Sequence, residues 1–201
     1  MIRVSQRSFD YLAQQRGDLA RYLGNGGDHW IEAYNASVRK LFEQIQERAP
    51  FPRRVLDVGS GLGGIDVLLI RHFRSRVMMV DGEFGGPRAR RHDEPFCSRS
   101  AVEAFMADND VEQDDYEYCP PEEIADAGPF DLVMSLRSWC FHYSPEAYLE
   151  YVERNTRTGA IMILDVRVGK FQWSSSIRSK FDQIEHLERG AKCNRTLFRR
   201  R

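Results

Sequence analysis

The fold is decided by the stretch VLDVGSGLGGIDVLLI, residues 55–70. It opens with a short apolar run of strand type, continues with four glycines in six positions, and ends with apolar residues at helical spacing. Glycines at such a place let the backbone turn sharply and let a ligand come close to the main chain. The stretch therefore predicts a strand, a ligand-binding loop and a helix in immediate succession.

The glycines of this loop fit two ligand-binding patterns. Gly59, Gly61 and Gly64 form the G-x-G-x-x-G pattern of nicotinamide-binding proteins. Asp57, followed by Gly59, Gly61 and Gly63, forms the pattern D-x-G-x-G-x-G. Both patterns depend on the same close approach of ligand to backbone, so the glycines alone leave the choice open.

Acidic residues at the ends of the first two predicted strands favour the second pattern. A dinucleotide places its pyrophosphate at the helix N-terminus, and Asp57 would put negative charge beside it. Asp57 instead suits a ligand that carries an ammonium and a sulfonium group. Asp81 follows the glycines by about twenty residues, where a carboxylate can accept both ribose hydroxyls of either ligand. Two helical segments also precede the loop, whereas nicotinamide domains often begin almost directly with their first strand.

Outside the loop, strand-like and helix-like segments alternate along the chain. Apolar runs of strand type occupy residues 54–58, 76–81, 115–119, 130–136 and 160–166. Helical patterns occupy residues 4–23, 29–49, 65–73, 98–110 and 145–157, with Asp28 able to cap the second of them. Such alternation predicts a parallel sheet with right-handed crossovers and helices on both faces.

The tail, residues 183–200, differs from the rest. Two polar–apolar alternations around Arg189-Gly190 predict an antiparallel hairpin at one sheet edge. We therefore predict an α/β fold: a doubly wound, mostly parallel seven-stranded sheet with a C-terminal antiparallel hairpin, preceded by N-terminal helices. The length of 201 residues indicates a single domain, with a helical cap at 1–50 and an α/β core at 51–201.

Several of these segments together resemble a known family. The run Asp57-Val58-Gly59-Ser60-Gly61-Leu62-Gly63 resembles the first motif of the Rossmann-like, class I S-adenosylmethionine-dependent methyltransferases. Asp81 matches their acidic second motif, FDLVMSL at 130–136 resembles their fourth strand, and TGAIMILDV at 158–166 resembles the fifth with its glycine turn. The resemblance extends from Val55 to the C-terminus. It implies a methyltransferase with S-adenosyl-L-methionine as cofactor.

The resemblance also implies which residues bind the cofactor. Asp57 would reach the methionine amino group, Asp81 would hold the ribose, and Gly82 would lie near the adenine. Residues at the ends of the first and fourth strands would line the methionine part. The full predicted set is Asp57, Gly59, Ser60, Gly61, Gly63, Asp81, Gly82, Glu122, Ser135 and Leu136.

The chain departs from the family after the third predicted strand. Many relatives carry there an Asp that accepts the adenine amino group, whereas this sequence runs Cys119-Pro120-Pro121-Glu122-Glu123. Neither proline can donate a backbone N–H. The adenine contacts are therefore assigned to Glu122 or its neighbours.

The segment SLRSWCFHYSPEAYL, residues 135–149, is the candidate acceptor pocket. Methyl transfer is an in-line displacement that depends mainly on alignment, and an oxygen or ring-nitrogen acceptor also benefits from a base. His142 is the candidate base because its ordinary pKa lies near neutrality. The alternative is that His142 is a structural histidine and that Trp139 and Phe141 pack on the sheet.

Two other segments can be interpreted in two ways. The long connection 82–96 contains Arg88, Arg90 and Arg91. It is either a lid for an acidic or phosphorylated substrate or a solvated loop, and we favour the solvated loop. Trp30 and Tyr34 precede the first strand and either close over the cofactor or, as we favour, pack in the core.

Composition narrows the partners. The net charge of -1 argues against a molecule drawn as a whole onto polyanions, and the basic tail Arg199-Arg200-Arg201 is too short to indicate nucleic acid. Four scattered cysteines form no C-x-x-C pair, so no metal is predicted. Because neither a secretory signal nor a long apolar run is present, we predict a cytoplasmic protein without membrane segments.

The methyl acceptor is the least determined part of the prediction. Residues 135–138 are not the P-P-Y-type tetrapeptide of DNA amino-methyltransferases, and Cys140 follows Trp139 rather than the proline of a cytosine-C5 enzyme. We therefore predict an O or N atom of a small molecule as acceptor, with a protein side chain second. A nicotinamide oxidoreductase and a non-catalytic S-adenosylmethionine-binding module are the alternative functions. The oligomeric state is left open.

Overall fold

A computed structural model describes residues 1–15, 28–49, 51–81, 98–124 and 127–201. The predicted breaker GNGG at 24–27, the predicted adenine contact Gly82 and the connection 82–96 lie outside these residues. Within the described ranges, no helix is both long enough and apolar enough to cross a membrane.

The elements follow the predicted alternation of helices and strands. In chain order they are α1 (Gln6–Gln15), α2 (Asp28–Arg48), β1 (Arg54–Val58), α3 (Gly64–Phe73), β2 (Arg76–Val80), α4 (Arg99–Asp108), β3 (Tyr116–Cys119), β4 (Phe130–Ser135), α5 (Leu149–Asn155), β5 (Thr156–Arg167), α6 (Phe171–Arg178), β6 (Phe181–Arg189) and β7 (Cys193–Arg200).

The seven strands form one sheet in the order β3-β2-β1-β4-β5-β7-β6. The pairs β1–β2, β2–β3, β1–β4 and β4–β5 are parallel, whereas β7 is antiparallel to both β5 and β6. The predicted seven-stranded, mostly parallel sheet with an antiparallel C-terminal hairpin is thus confirmed. The strand order reverses between β1 and β4, which is where a doubly wound sheet opens a ligand crevice.

Two segments differ from their predictions. The helix predicted at 145–157 begins as a short 3-10 turn at Pro145–Ala147, and α5 ends at Asn155 because Thr156 already belongs to β5. Helix α6 is absent from the predictions because its sequence FQWSSSIR has three serines in a row and no clear apolar stripe.

Helices cover both faces of the sheet. On one face Val55 and Val77 pack with residues of α2, α3 and α4, among them Ile45, Val67 and Phe105. On the other face the apolar cluster includes Leu56, Phe130, Trp139, Val152, Ile177 and Phe181. Burial on both faces explains why the central strands are almost continuously apolar in sequence.

The N-terminal segment is fastened to the end of α4. The backbone N–H of Arg3 donates to Oδ1 of Asn109 at 2.8 Å, and Nδ2 of Asn109 donates to the carbonyl of Arg3 at 2.9 Å. Phe9 of α1 is buried and packs against Trp30 of α2, with ring centroids 5.5 Å apart. The two helices of the predicted cap therefore pack against the α/β core and each other.

A buried ion pair joins β5 to the hairpin. Nε of Arg195 donates to Oδ1 of Asp165 at 2.9 Å, and Nη2 donates to Oδ2 at 3.1 Å. The side chain of Asp165 is 2% exposed and that of Arg195 is 17% exposed. This two-point contact crosses the β5–β7 pairing, in which Asp165 and Arg195 are direct partners.

Arg195→Met should therefore destabilise the protein strongly, because it leaves the Asp165 carboxylate buried without its cation. We expect a loss of about 3–5 kcal/mol in the free energy of unfolding, measured by urea denaturation. The matched control is Lys40→Met, which breaks the exposed pair Lys40–Glu188 and should cost at most about 1 kcal/mol. Equal losses of unfolding free energy in the two variants would contradict a large contribution from the buried pair.

Candidate functional site

The predicted binding loop lies at the point where the strand order reverses. Strand β1 ends at Val58 and β2 ends at Val80, so the glycine loop and Asp81 emerge side by side at the carboxyl edge of the sheet. The backbone N–H of Gly59 donates to the carbonyl of Val80 at 2.6 Å. This hydrogen bond joins the start of the glycine loop to the end of β2.

The loop needs glycine at its turning points. Gly59 and Gly63 have φ values of +78° and +81°, in the left-handed region. A Cβ at Gly59 would overlap the side chain of Ser138, and one at Gly63 would overlap the methyl groups of Met79 and Met106. Both conformation and space therefore exclude a larger residue.

Asp81 holds the loop from the neighbouring strand. Its Oδ2 accepts the backbone N–H of Gly61 at 2.8 Å, and its own N–H donates to the carbonyl of Cys119 at 3.3 Å. The side chain is half-buried. The residue predicted to hold the ribose therefore also positions the glycine loop.

Beneath the loop lies a pair of buried carboxyl groups. Asp57 at the end of β1 is 2% exposed, and Asp66 in the first turn of α3 is 0% exposed. Their side chains interact directly. Oδ1 of Asp57, both carboxyl oxygens of Asp66 and the buried Oγ of Ser60 have no hydrogen-bond partner in the described part of the chain.

Burial disfavours ionisation of both carboxyl groups of this pair. The pKa of Asp57 is raised well above its usual value, first by burial, then by Asp66 and last by the charge of Asp81. Burial raises the pKa of Asp66 to about 7. No basic side chain in the described ranges contributes to either pKa, so the described part of the site offers these carboxyl groups no cation.

The position of these acids matters because α3 begins beside them. A helix N-terminus carries partial positive charge and by itself favours an anion. The charge of Asp81 opposes this preference, and a positive group near the loop would favour the ionised forms of Asp57 and Asp66. The site is therefore suited to a ligand with a positive group. Asp66 was missed in the sequence, although a single acid in the otherwise apolar run IDVLLI could have indicated it.

The segment after β4 is largely structural. Oγ of Ser135 donates to the carbonyl of Val58 at 2.7 Å and accepts the backbone N–H of Trp139 at 2.8 Å. A cofactor contact from Ser135 would therefore have to come from its main chain. Trp139 is fully buried, with its indole N–H donating to the carbonyl of Pro145 at 2.9 Å. Leu136 is half-buried against the core.

His142 lies on the exposed side of the turn that follows Trp139. Its backbone N–H donates to the carbonyl of Ser138 at 2.8 Å, and its ring contacts that of Phe141 edge-on at 4.8 Å between centroids. The Phe141 ring in turn lies under the guanidinium of Arg167 at 5.6 Å. The turn thus presents His142 to solvent at the carboxyl edge, and its role as a base stays a prediction.

The adenine side of the predicted site is described in part. Glu122 is exposed in the short 3-10 turn Pro121–Glu123 after β3, and its contact with adenine stays a prediction. Tyr148, which the sequence pattern did not single out, follows the 3-10 turn Pro145–Ala147. Burial raises the pKa of its phenol, and Tyr143 and Asp81 raise it further.

Tyr34 connects the N-terminal helices to the glycine loop. Its ring stacks on Trp30 with centroids 5.2 Å apart and planes 16° apart. Its hydroxyl occupies the space that a Cβ on Gly64 would need. Both rings therefore pack in the described structure, and Gly64 lets α2 approach the start of α3.

Comparison with known proteins finds similarity at the level of the fold. No known protein family and no curated protein matches the sequence. The O-methyltransferase StiE O-MT has a TM-score of 0.63 at 11% identity, over 100% of this chain and 84% of that chain. The N-terminal domain of EvdMO1 was crystallised in the presence of SAH and D-fucose. It has a TM-score of 0.56 at 13% identity, over 82% of this chain and 83% of that chain.

A third structure comes from an RNA-modifying enzyme. The T. thermophilus 16S rRNA N2 methyltransferase RsmC, in complex with AdoMet and guanosine, has a TM-score of 0.56 at 15% identity, over 82% of this chain and 42% of that chain. The chain therefore has the class I, Rossmann-like fold of S-adenosylmethionine-dependent methyltransferases.

The buried acid pair predicts a pH dependence of stability. In the unfolded chain Asp66 ionises near 3.8, and in the folded protein only near 7. Between these values the folded state binds the extra proton, so Asp66 makes stability fall as the pH rises from about 4 to about 7, and Asp57 acts in the same direction.

Asp66→Asn should weaken this pH dependence, because the amide is neutral at every pH and can donate to Asp57. Thermal melting at pH 5 and pH 8 would measure it: the variant should gain melting temperature relative to the wild type at pH 8 but not at pH 5. The control is Asp108→Asn, at an exposed carboxyl group at the end of α4. If the melting temperature of Asp66→Asn changes with pH as that of the wild type does, Asp66 is not the group whose ionisation causes the change.

Proposed function

We propose that the protein is an S-adenosylmethionine-dependent methyltransferase whose acceptor is an O or N atom of a small molecule. The observation that carries the proposal is the meeting of the glycine loop, Asp81 and the buried acids Asp57 and Asp66 at the carboxyl edge of a sheet with this fold. The resemblance of residues 57–63 to the family's first motif supports the same conclusion.

The residues at the loop fit the cofactor chemically. S-adenosylmethionine brings an ammonium and a sulfonium, and the unpartnered carboxyl oxygens below the loop lack a cation. Asp57 would receive the ammonium, with Asp66 behind it. Asp81 would accept ribose hydroxyls, and the main chain of Gly59, Ser60, Gly61 and Gly63 would line the methionine part.

When bound, the cofactor supplies a methyl group on positively charged sulfur, so the protein has mainly to align an acceptor and exclude water. The turn after β4 is suited to this work, because Trp139 and Cys140 are fully buried and fix it rigidly on the sheet. Phe141 and Tyr143 flank His142 on the same turn. His142, exposed beside them, would remove the proton of the acceptor.

A small molecule is the preferred acceptor and a protein side chain is the second choice. The matching structures include one with D-fucose and one with guanosine, so this fold alone does not select a substrate class. The preference comes from residues 135–140, which contain neither the P-P-Y-type tetrapeptide nor the Pro-Cys pair of two classes of DNA methyltransferase.

The nicotinamide alternative conflicts with the charge of the site. A pyrophosphate at the N-terminus of α3 would lie beside Asp57, Asp66 and Asp81, with no basic side chain in the described part of the site to offset them. A non-catalytic binding module would instead share all the cofactor contacts and differ only in activity.

Calorimetry should separate these alternatives. We expect binding of S-adenosylmethionine and of its product S-adenosylhomocysteine, and no binding of NAD. Asp81→Asn should weaken both sulfur ligands by about 10- to 150-fold, because a charged acceptor of two ribose hydroxyls is worth roughly 1.5–3 kcal/mol. Asn keeps an oxygen for the N–H of Gly61, so the loop should remain folded. Tight NAD binding with no response to either sulfur compound would refute the proposal.

His142→Ala tests the catalytic part of the proposal. The methyl-transfer rate should fall by about 10²–10⁴, the usual contribution of a positioned base, while affinity for S-adenosylhomocysteine stays nearly unchanged. The acceptor would first be found by incubating cell extract with radiolabelled methyl donor. The pH–rate profile should also lose an ionisation near neutrality. If the folded variant turns over at the wild-type rate, alignment alone accounts for catalysis.

A further inference from the structure

The edge of the sheet opposite the glycine loop carries exposed arginines from several separate segments. Strands β1 and β2 begin there and β7 ends there. Exposed arginines without a side-chain partner in the described part of the chain are Arg53, Arg71, Arg74, Arg76 and Arg199. We call this surface the amino edge.

The acids of the amino edge from β1 to β6 are already paired. Asp131 binds Arg157 at 2.8 Å, and its other oxygen accepts the backbone N–H groups of Arg53 and Arg54 at 2.9 Å each. The remaining pairs are Arg48–Glu47, Arg48–Glu185, Lys180–Glu153, Arg200–Glu153 and Arg201–Asp182. The charge left unpaired on the amino edge is therefore positive. This positive surface ends beyond β2, where the acidic turn Gln113–Asp115 precedes β3.

Three of these arginines lie along a row set by the strand order. Neighbouring strands are about 4.8 Å apart, so the four intervals from β2 through β1, β4 and β5 to β7 span about 19 Å. Arg76 stands at the start of β2, Arg53 immediately precedes β1, and Arg199 lies at the end of β7. A row of separate positive charges of this length matches a chain of phosphates better than a single small anion.

A cavity opens in the middle of this row. It has a volume of about 470 Å³, and its lining includes Arg48, Phe51, Arg157, Arg199, the turn around Gly159 and the paired carboxylate of Asp131. Phe51 is 69% exposed, and its ring contacts Phe73 edge-on at 6.0 Å between centroids, which holds it in place. An exposed aromatic ring among arginines provides a surface on which a base can stack.

From this arrangement we propose that the amino edge binds single-stranded nucleic acid, with phosphates against Arg53, Arg76 and Arg199 and a base in the cavity against Phe51. A duplex keeps its bases stacked inside and could not offer one to Phe51. The surface lies on the opposite edge from the glycine loop, so the proposal is independent of the methyl-transfer reaction.

The first test is fluorescence anisotropy with a labelled uridine RNA of about 12 nucleotides, within the usual site size of such surfaces. Three phosphate contacts should give a slope of about −2 for log affinity against log salt concentration, because each contact on a single strand contributes about −0.7. The variant Arg53→Glu/Arg76→Glu/Arg199→Glu should bind at least tenfold more weakly and lose nearly all of this slope.

The control for this variant has the same net charge. Arg39→Glu/Arg189→Glu/Lys192→Glu changes three exposed cations on α2 and at the hairpin tip, away from the amino edge. It should keep wild-type affinity. Equal losses in both variants would overturn the proposal, as would the absence of RNA binding by the wild type at low salt. If the glutamate variant is unstable on thermal melting, the corresponding glutamine variant serves for the same comparison.

The second test is Phe51→Ala. Loss of one stacked base should weaken binding of the single strand about tenfold and leave the salt slope unchanged, because no phosphate contact is removed. Phe51 is mostly exposed, so the variant should fold. Wild-type affinity of Phe51→Ala, or equal affinity of the wild type for a duplex of the same length, would overturn the assignment to single strands.

Discussion

The parallel pairing of β1 with β2 on one side and with β4 on the other is the constraint on which the rest of the molecule depends. It brings the ends of the three strands to one edge and leaves the crevice of a doubly wound sheet between β1 and β4. The hydrogen bond from the N–H of Gly61 to Asp81 then fixes the loop of one strand to the end of the next. Oγ of Ser135 does the same from the other side by donating to the carbonyl of Val58. The loop is thereby held between two strands before any ligand arrives.

Much of this framework could be predicted from the sequence because it depends on local patterns. The strands β1 and β2, the helix between them and the C-terminal hairpin follow from apolar periodicity and from glycine positions. Helix α6 could not be found in this way, since its buried Ile177 is one apolar residue among polar neighbours. The partner of Asp57 also escaped prediction. Asp66 looks like an ordinary acid in a first helical turn until the fold places it, fully buried, against the end of β1.

The amino edge could not be predicted for a related reason. Its arginines come from the segments before β1 and β2 and from the end of β7, which are adjacent only after the strand order is fixed. A net charge of -1 conceals them, because acidic residues elsewhere in the chain balance the total. Composition therefore argues correctly against a uniformly basic molecule, while charge on one edge of the sheet is a property of the fold.

The same topology explains why several helix ends bring basic residues to the amino edge. Helices that precede parallel strands end at the amino edge, and the last turns of α2, α3, α5 and α6 carry Arg48, Arg71 with His72, Arg154 and Arg178. The partial negative charge at the C-terminus of each helix stabilises these cations. At the carboxyl edge the N-terminus of α3 would by itself favour an anion, as in dinucleotide-binding proteins. Asp57 and Asp66 are buried below that N-terminus, where an approaching cation would favour their ionised forms. Because burying carboxylates without a cation opposes folding, a positively charged ligand would stabilise this part of the fold.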